Sequence, residues 1–328
     1  MLQKTVKSLI EKSFKLYRKT PKQLLAAVLF VIIVVFLVLY LRGTDFEQLR
    51  DIRINWYWMG WSVLVALIFR YLMVVIWRVI LRALGAPRLP SFRLMTDIYA
   101  KSWLARYIPG TVPWIAGKIV MAASYGISKS RLTVSSLLEA GMQVASAVVV
   151  SLVLIGFSPR ISSIPLVLRV LLVAASAAGL VVLSPPIFNR LLTLAHKLFR
   201  KGDPHVELKI NGSAVWRSFS WFVLATFING AACFLLIHAL VPSLPGNLFL
   251  YVVGAFALAG AIGMATPLLP SGIGVRDGAL LVLLSAVFPR DIALAVTVIS
   301  RVWQIAADLI FFAIAWSVRK LWPAEQPN

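Results

Sequence analysis

Seven ionisable residues sit inside or at the edges of long apolar runs: Arg106, Lys118, Glu139, Arg276, Asp277, Arg301 and Asp308. A charge at the centre of an apolar membrane helix costs about 2.5–3.5 kcal/mol on insertion scales, so by default it marks a functional site. Spacing groups these residues. Glu139 and Gln143 are four apart and share a helix face. Arg301, Gln304 and Asp308 are three and seven apart and share another. Arg276 and Asp277 follow Gly272 and Gly274, where the chain can open its backbone amides toward an anion. The chemistry this set suits is capture of a phosphate by Arg106, Lys118, Arg276 and Arg301 through charge-assisted hydrogen bonds. Glu139, Asp277 and Asp308 would then hold those cations in place, meet an amine headgroup, or couple a proton. For any one residue the competing reading is plain pairing between helices, for instance of Glu139 with Arg276 or Arg301. Arg70, Arg78 and Arg169 also lie in apolar runs, but can snorkel or pair locally and are given no role.

The elements that must position these groups are membrane spans. Only 14% of the 328 residues are charged and 60% are hydrophobic, with a mean hydropathy of +0.88. A soluble chain is roughly a quarter charged, so most of this surface must face lipid. The net charge of +21 does not form a stripe interleaved with stacking aromatics. Its Lys and Arg flank the apolar runs, as topology signals and anionic-lipid contacts do. Nucleic acid is therefore excluded as a partner, and membrane lipids, anionic phospholipids above all, are expected. Three His and one Cys, Cys233, rule out the usual zinc spacings and an intrachain disulfide. No metal or other cofactor is expected, and Cys233 reads as a packing residue.

Apolar runs fall at 24–41, 56–81, 133–157, 164–184, 218–241, 247–267, 274–288 and 292–317. They predict an all-α polytopic helical bundle of about eight spans. The loops at 42–55 and 242–246 carry mixed or no charge, whereas 1–23, 185–217 and 319–328 are basic. The positive-inside rule then puts both termini and the 185–217 loop in the cytoplasm, at the cell membrane. The organisation expected is a basic cytoplasmic segment at 1–23, an integral membrane domain at 24–318 and a short cytoplasmic tail at 319–328.

Two segments interrupt this pattern. Residues 89–132 are too polar for a simple span and too apolar for a loop, and Pro109, Gly110 and Pro113 break any single helix there. Basic flanks on both sides predict a re-entrant segment, which membranes tolerate only when it is buried in protein or lines a wet cavity. An amphipathic helix pair on the surface is the other reading. The second interruption carries Pro270, Gly272 and Gly274 as hinges. Broken segments in the two halves of a chain point to a transporter's binding site. Catalytic signatures are missing: no phosphate loop, no His-Glu-x-x-His and no Asp-x-Asp pair. A non-enzymatic protein is therefore expected.

Two stretches resemble a known family. Arg106-Tyr107-Ile108-Pro109-Gly110, Gly117-Lys118, Gly126-Ile127-Ser128 and Leu138-Glu139 resemble the first signature of the lysylphosphatidylglycerol synthase transmembrane, or flippase-like, family. Pro267, then Pro270-Ser271-Gly272-Ile273-Gly274-Val275-Arg276-Asp277-Gly278, with Arg301 downstream, resembles the second. The resemblance covers the chain from about residue 15 to 318. Ser271-Gly272 stands where the family has Gly-Gly, and Arg276-Asp277 where it has Arg-Glu. In that family the membrane region occurs alone or fused to an aminoacyl-transferase domain. The chain ends at Asn328, so the resemblance implies a membrane-only member that moves a lipid between leaflets, the particular lipid not being implied. A transferase using a lipid-linked donor and a non-transporting lipid-binding scaffold are the alternatives.

Overall fold

A computed structural model describes residues 53–86, 88–107, 112–158, 166–182, 212–266 and 274–322, together with 184, 190 and 272. The expected first span at 24–41, the 1–23 segment, most of the 185–217 loop and the end of the tail lie outside the described residues. So do the hinge positions Pro109, Gly110 and Pro270.

The described residues form nine α-helices and no strand. They are α1 (Trp56–Ala83), α2 (Phe92–Leu104), α3 (Val112–Ala123), α4 (Lys129–Gly156), α5 (Leu166–Val182), α6 (Gly212–Leu240), α7 (Phe249–Met264), α8 (Val275–Ser285) and α9 (Arg290–Leu321). Polar residues start several of them. The Asn55 side chain accepts from the amides of Tyr57 and Trp58, Ser91 from Leu94, and Ser128 from Arg131. Such caps satisfy amides that the helix itself leaves unpaired.

Five helices are long and apolar enough to cross a membrane: α1, α4, α6, α9, and α7 with the 3-10 turn that precedes it. The run at 164–184 becomes the 17-residue α5. The run at 274–288, read from sequence as a span, is corrected to the 11-residue α8, which reaches only about 16 Å at 1.5 Å per residue. The glycine break cuts α8 short at one side and the turn before Pro289 at the other.

The two interrupted segments fold alike. α2 and α3 form a helical hairpin around a 3-10 turn at Ala105–Tyr107. The rings of Trp103 and Trp114 lie 6.3 Å apart across it, and a Cβ on Gly117 would meet Ser102 at 3.6 Å. Ten of the 13 residues of α2 are buried, so the pair packs inside the bundle rather than lying on its surface. α7 and α8 form the second hairpin, pinned where the Tyr251 hydroxyl donates to the Leu283 carbonyl at 2.5 Å. At its turn Gly272 and Gly274 adopt φ of 67° and 76°, a left-handed backbone that glycine takes without strain. Gly272 is needed for room as well, since a Cβ there would lie 2.5 Å from the Gly263 Cα.

The hairpins enter from opposite ends of the 32-residue α9. The start of α2 meets the far end of α9, where Asp97 pairs with Arg319. The second hairpin leaves through the short turn that begins α9. Each has its own apolar core. Trp77, Tyr99 and Phe222 belong to the first, and Leu236, Phe256, Leu280 and Trp303 to the second.

Candidate functional site

The two hairpin turns face a cavity of about 350 Å³, within the range that small-molecule sites occupy. Among the described residues three charged ones line it, Arg70 on α1, Arg106 on the first turn and Arg276 at the start of α8, and no carboxylate does. Uncharged polar groups come from Gln143, Thr226, Asn229, Thr266 and Gln304. Much of the remaining wall is alanine and glycine from α4, α6 and α7, small residues that leave the space open.

Each turn carries two arginines on one aspartate. At the second turn Asp277 accepts from Arg276 Nη1 at 2.9 Å and from Arg301 Nη2 at 2.9 Å. Its Oδ2 also accepts the Gly274 amide at 3.4 Å, which ties the pair to the glycine break. Arg276 is 5% exposed, stands over the Phe256 ring at 5.2 Å and lines the cavity. Its Nη2 has no partner among the described residues. Arg301 lies behind Asp277 and does not line the cavity.

At the first turn Asp308 of α9 accepts from four groups. Arg70 Nε reaches Oδ1 at 2.7 Å and Trp103 Nε1 reaches the same oxygen at 3.1 Å. Arg106 Nη2 reaches Oδ2 at 2.5 Å and the Tyr107 hydroxyl at 2.6 Å. Arg70 is further fixed by the carbonyls of Ala66 at 2.8 Å and Gln304 at 3.2 Å. Arg106 lies over the Trp103 ring at 4.7 Å. With two cations on one anion, each turn keeps one net positive charge.

Lys118 and Glu139 are arranged differently. Both side chains are 0% exposed and their charges meet at 2.5 Å. The other oxygen of Glu139 accepts from the Tyr99 hydroxyl at 2.5 Å. The Lys118 ammonium sits 5.0, 4.3 and 4.6 Å from the ring centres of Trp77, Tyr99 and Trp114, an aromatic cage that holds a cation against its faces. Neither residue lines the cavity. Glu139 therefore pairs with Lys118, not with Arg276 or Arg301.

Of the seven residues singled out by sequence, the structure brings Arg106 and Arg276 to the cavity wall. It sets Asp277, Asp308 and Arg301 directly behind them and seals Lys118 with Glu139 elsewhere. Gln143, one turn from Glu139, reaches the cavity instead. Arg70 was passed over as a snorkelling residue. The signal was its depth: it is 14 residues from the start of α1 and 13 from its end, too central to reach either surface. Asp97 was also missed. It is buried on α2 and pairs with Lys101 at 2.7 Å and with Arg319 at the far end of α9. The Asp97–Lys101 spacing of four was the available clue.

No curated protein and no solved structure matches the chain. The family model described as the lysylphosphatidylglycerol synthase TM region matches residues 23–311. That stretch holds both hairpins, the cavity and the residues behind it, and the chain belongs to this membrane lipid-related family.

Proposed function

We propose that the protein moves an anionic or zwitterionic lipid between leaflets, the headgroup passing through the cavity while the acyl chains stay in lipid. The observation that carries this reading is the cavity wall itself: three arginines and no carboxylate among the described residues, and two hairpin turns that meet it. A phosphate crossing hydrocarbon bare would lose its hydration with nothing in return. Here the guanidinium groups of Arg276 and Arg106, both on the wall, can replace that hydration. The aspartates behind them fix their positions without presenting negative charge to the ligand. Irregular backbone at membrane depth is tolerated where it lines such a cavity, so both hairpins are read as re-entrant, α2–α3 from the cytoplasmic side and α7–α8 from the outside. This orientation follows from the basic flanks, with both termini cytoplasmic at the cell membrane. The reaction is transport rather than catalysis.

Leaflet exchange of a labelled phospholipid in proteoliposomes tests the proposal. Arg276→Lys should impair exchange, because Lys lacks the planar fork. Arg276→Ala should slow it on the order of a hundredfold, the loss of a contact of about 2–3 kcal/mol, with the melting temperature largely kept. Normal exchange by a well-folded Arg276→Ala protein would remove the cavity from the mechanism. Orientation is checked by cysteine labelling in intact cells: positions 51 and 243 should react from outside and position 201 should not.

A further inference from the structure

Two arginines share Asp308 at the first turn, and they are not equally committed to it. Arg70 stands in the middle of α1, with a side chain only 4% exposed. Each of its three nitrogens donates to protein: Nε to Asp308 Oδ1 at 2.7 Å, Nη1 to the Ala66 carbonyl at 2.8 Å and Nη2 to the Gln304 carbonyl at 3.2 Å. Arg106 is the opposite case. It sits on the short 3-10 turn and its side chain is 21% exposed. Its hydrogen bonds among the described residues run through Nη2 alone, to Asp308 Oδ2 at 2.5 Å and to the Tyr107 hydroxyl at 3.3 Å. Nε is buried, whereas Nη1 is neither buried nor partnered among the described residues. The Trp103 and Tyr107 rings lie 4.7 and 5.2 Å from the guanidinium. Aromatic faces attract a cation without fixing which acceptor it meets.

Asp308 is built to lose one of its cations. Taking the only cation from a buried carboxylate is strongly destabilising. If Arg106 leaves, Arg70 and Trp103 Nε1 stay on Oδ1, at 2.7 and 3.1 Å, and the Tyr107 hydroxyl stays on Oδ2 at 2.6 Å. The carboxylate thus remains neutralised and hydrogen-bonded at both oxygens. Before a ligand arrives the cluster holds two cations and one anion. A phosphodiester, with its single negative charge, would turn it into two neutral pairs: Arg70 with Asp308, and Arg106 with the phosphate.

Resting on the translocation reading and deepening it, we propose that Arg106 passes from Asp308 to the headgroup phosphate, and that Arg70 is the positioning residue that keeps Asp308 neutral during this hand-over. Without Arg70, the ligand would compete with a buried carboxylate for that carboxylate's one remaining cation.

The test is binding of fluorescent phosphatidylglycerol to the purified full-length protein in neutral detergent, with melting followed alongside. Arg70→Met should weaken binding at least about tenfold, because Asp308 then holds Arg106. Arg70→Met with Asp308→Asn should bind within about threefold of wild type, since the competing carboxylate is gone. Arg106→Met with Asp308→Asn has the same net charge and differs only in which arginine remains. It should bind at least about tenfold more weakly than the other double variant. Wild-type affinity in Arg70→Met, or equal affinity of the two double variants, would overturn the proposal. A residue that merely braced α1 against α9 would not be rescued by removing its partner. If a double variant does not fold, Asp308→Asn alone decides. It should bind at least as tightly as wild type, and a loss of about tenfold in the folded protein would overturn the hand-over.

Inorganic phosphate distinguishes the source of the ligand. Displacement of the probe at lipid-like concentrations would support the hand-over but assign it to a soluble anion, and displacement only far above them would assign it to lipid. Leaflet exchange separates this proposal from the one beneath it. The expected binding pattern in a protein that moves no lipid between leaflets would sink translocation and leave the division between Arg70 and Arg106 standing. Undiminished leaflet exchange by Arg70→Met, with wild-type affinity, would do the reverse.

Discussion

Lys118–Glu139 and Arg276–Asp277–Arg301 are both buried sets of charges beside a broken segment, yet they are built for opposite ends. The first is neutral, with both side chains 0% exposed, and is enclosed by Trp77, Tyr99 and Trp114. The second carries one cation in excess and sets Arg276 on a cavity wall. Burial and charge alone do not distinguish a structural pair from a binding site. What distinguishes these two is whether the charges balance and whether one of them lines the cavity. By the same test the Asp308 cluster, with Arg70 and Arg106 on one carboxylate, belongs with the cavity that both arginines line.

The comparison can be broken first at its closed side. Lys118→Ala leaves Glu139 buried with Tyr99 alone, and removing one partner of a buried pair costs about 3–5 kcal/mol. Thermal melting in detergent should show a large fall. Lys118→Met with Glu139→Gln removes both charges and should recover most of that loss, because an uncharged pair of similar volume is often as stable as a buried ion pair. If the double variant is as unstable as the single one, the pair does more than hold the hairpin to α4. A smaller effect is expected at the second turn. Gly272→Ala forces a side chain into a backbone with φ of 67°, against Gly263. It should cost about 1–3 kcal/mol and lower exchange with it, since the added methyl pushes α7 from the turn that aims Arg276. The smallest effect is expected at the C-terminal end of α9. Arg319 is 41% exposed at its side chain, and the buried Asp97 keeps Lys101 as a second cation when Arg319 is lost, so little of the pair's worth depends on the solvent-screened Arg319. Arg319→Gln should therefore shift melting slightly and leave exchange unchanged.

Much of this arrangement is legible in the sequence because its causes are local. Apolar runs longer than 18 residues give α1, α4, α6 and α9. Pro109-Gly110 and Pro270 with Gly272 mark two breaks in the sequence pattern, since proline and glycine interrupt a helix wherever they stand. What stays hidden depends on contacts between distant elements. Glu139 has Lys118 21 positions earlier and Arg276 far later as possible partners, and only packing of α3 against α4 chooses between them. Arg301 has the residue type of a phosphate ligand, but α8 lies between it and the cavity, so it serves Asp277. Arg70 looks like any arginine in an apolar run until α9 brings Asp308 beside it across 238 positions. α8 reads as a span because its apolar run continues to Phe288, whereas the helix stops at Ser285. The glycine break before it and the turn ahead of Pro289, not its hydropathy, set its length.

The account rests on the claim that the arginine-lined cavity, and not the buried charges in general, carries the lipid headgroup. The most direct measurement is leaflet exchange by three proteins reconstituted at equal density: wild type, Arg276→Ala, and Lys118→Met with Glu139→Gln. The account predicts that Arg276→Ala loses exchange on the order of a hundredfold while melting close to wild type, and that the doubly neutralised protein keeps exchange within severalfold of wild type. Retained exchange in Arg276→Ala, together with loss in a well-folded Lys118→Met, Glu139→Gln protein, would contradict it.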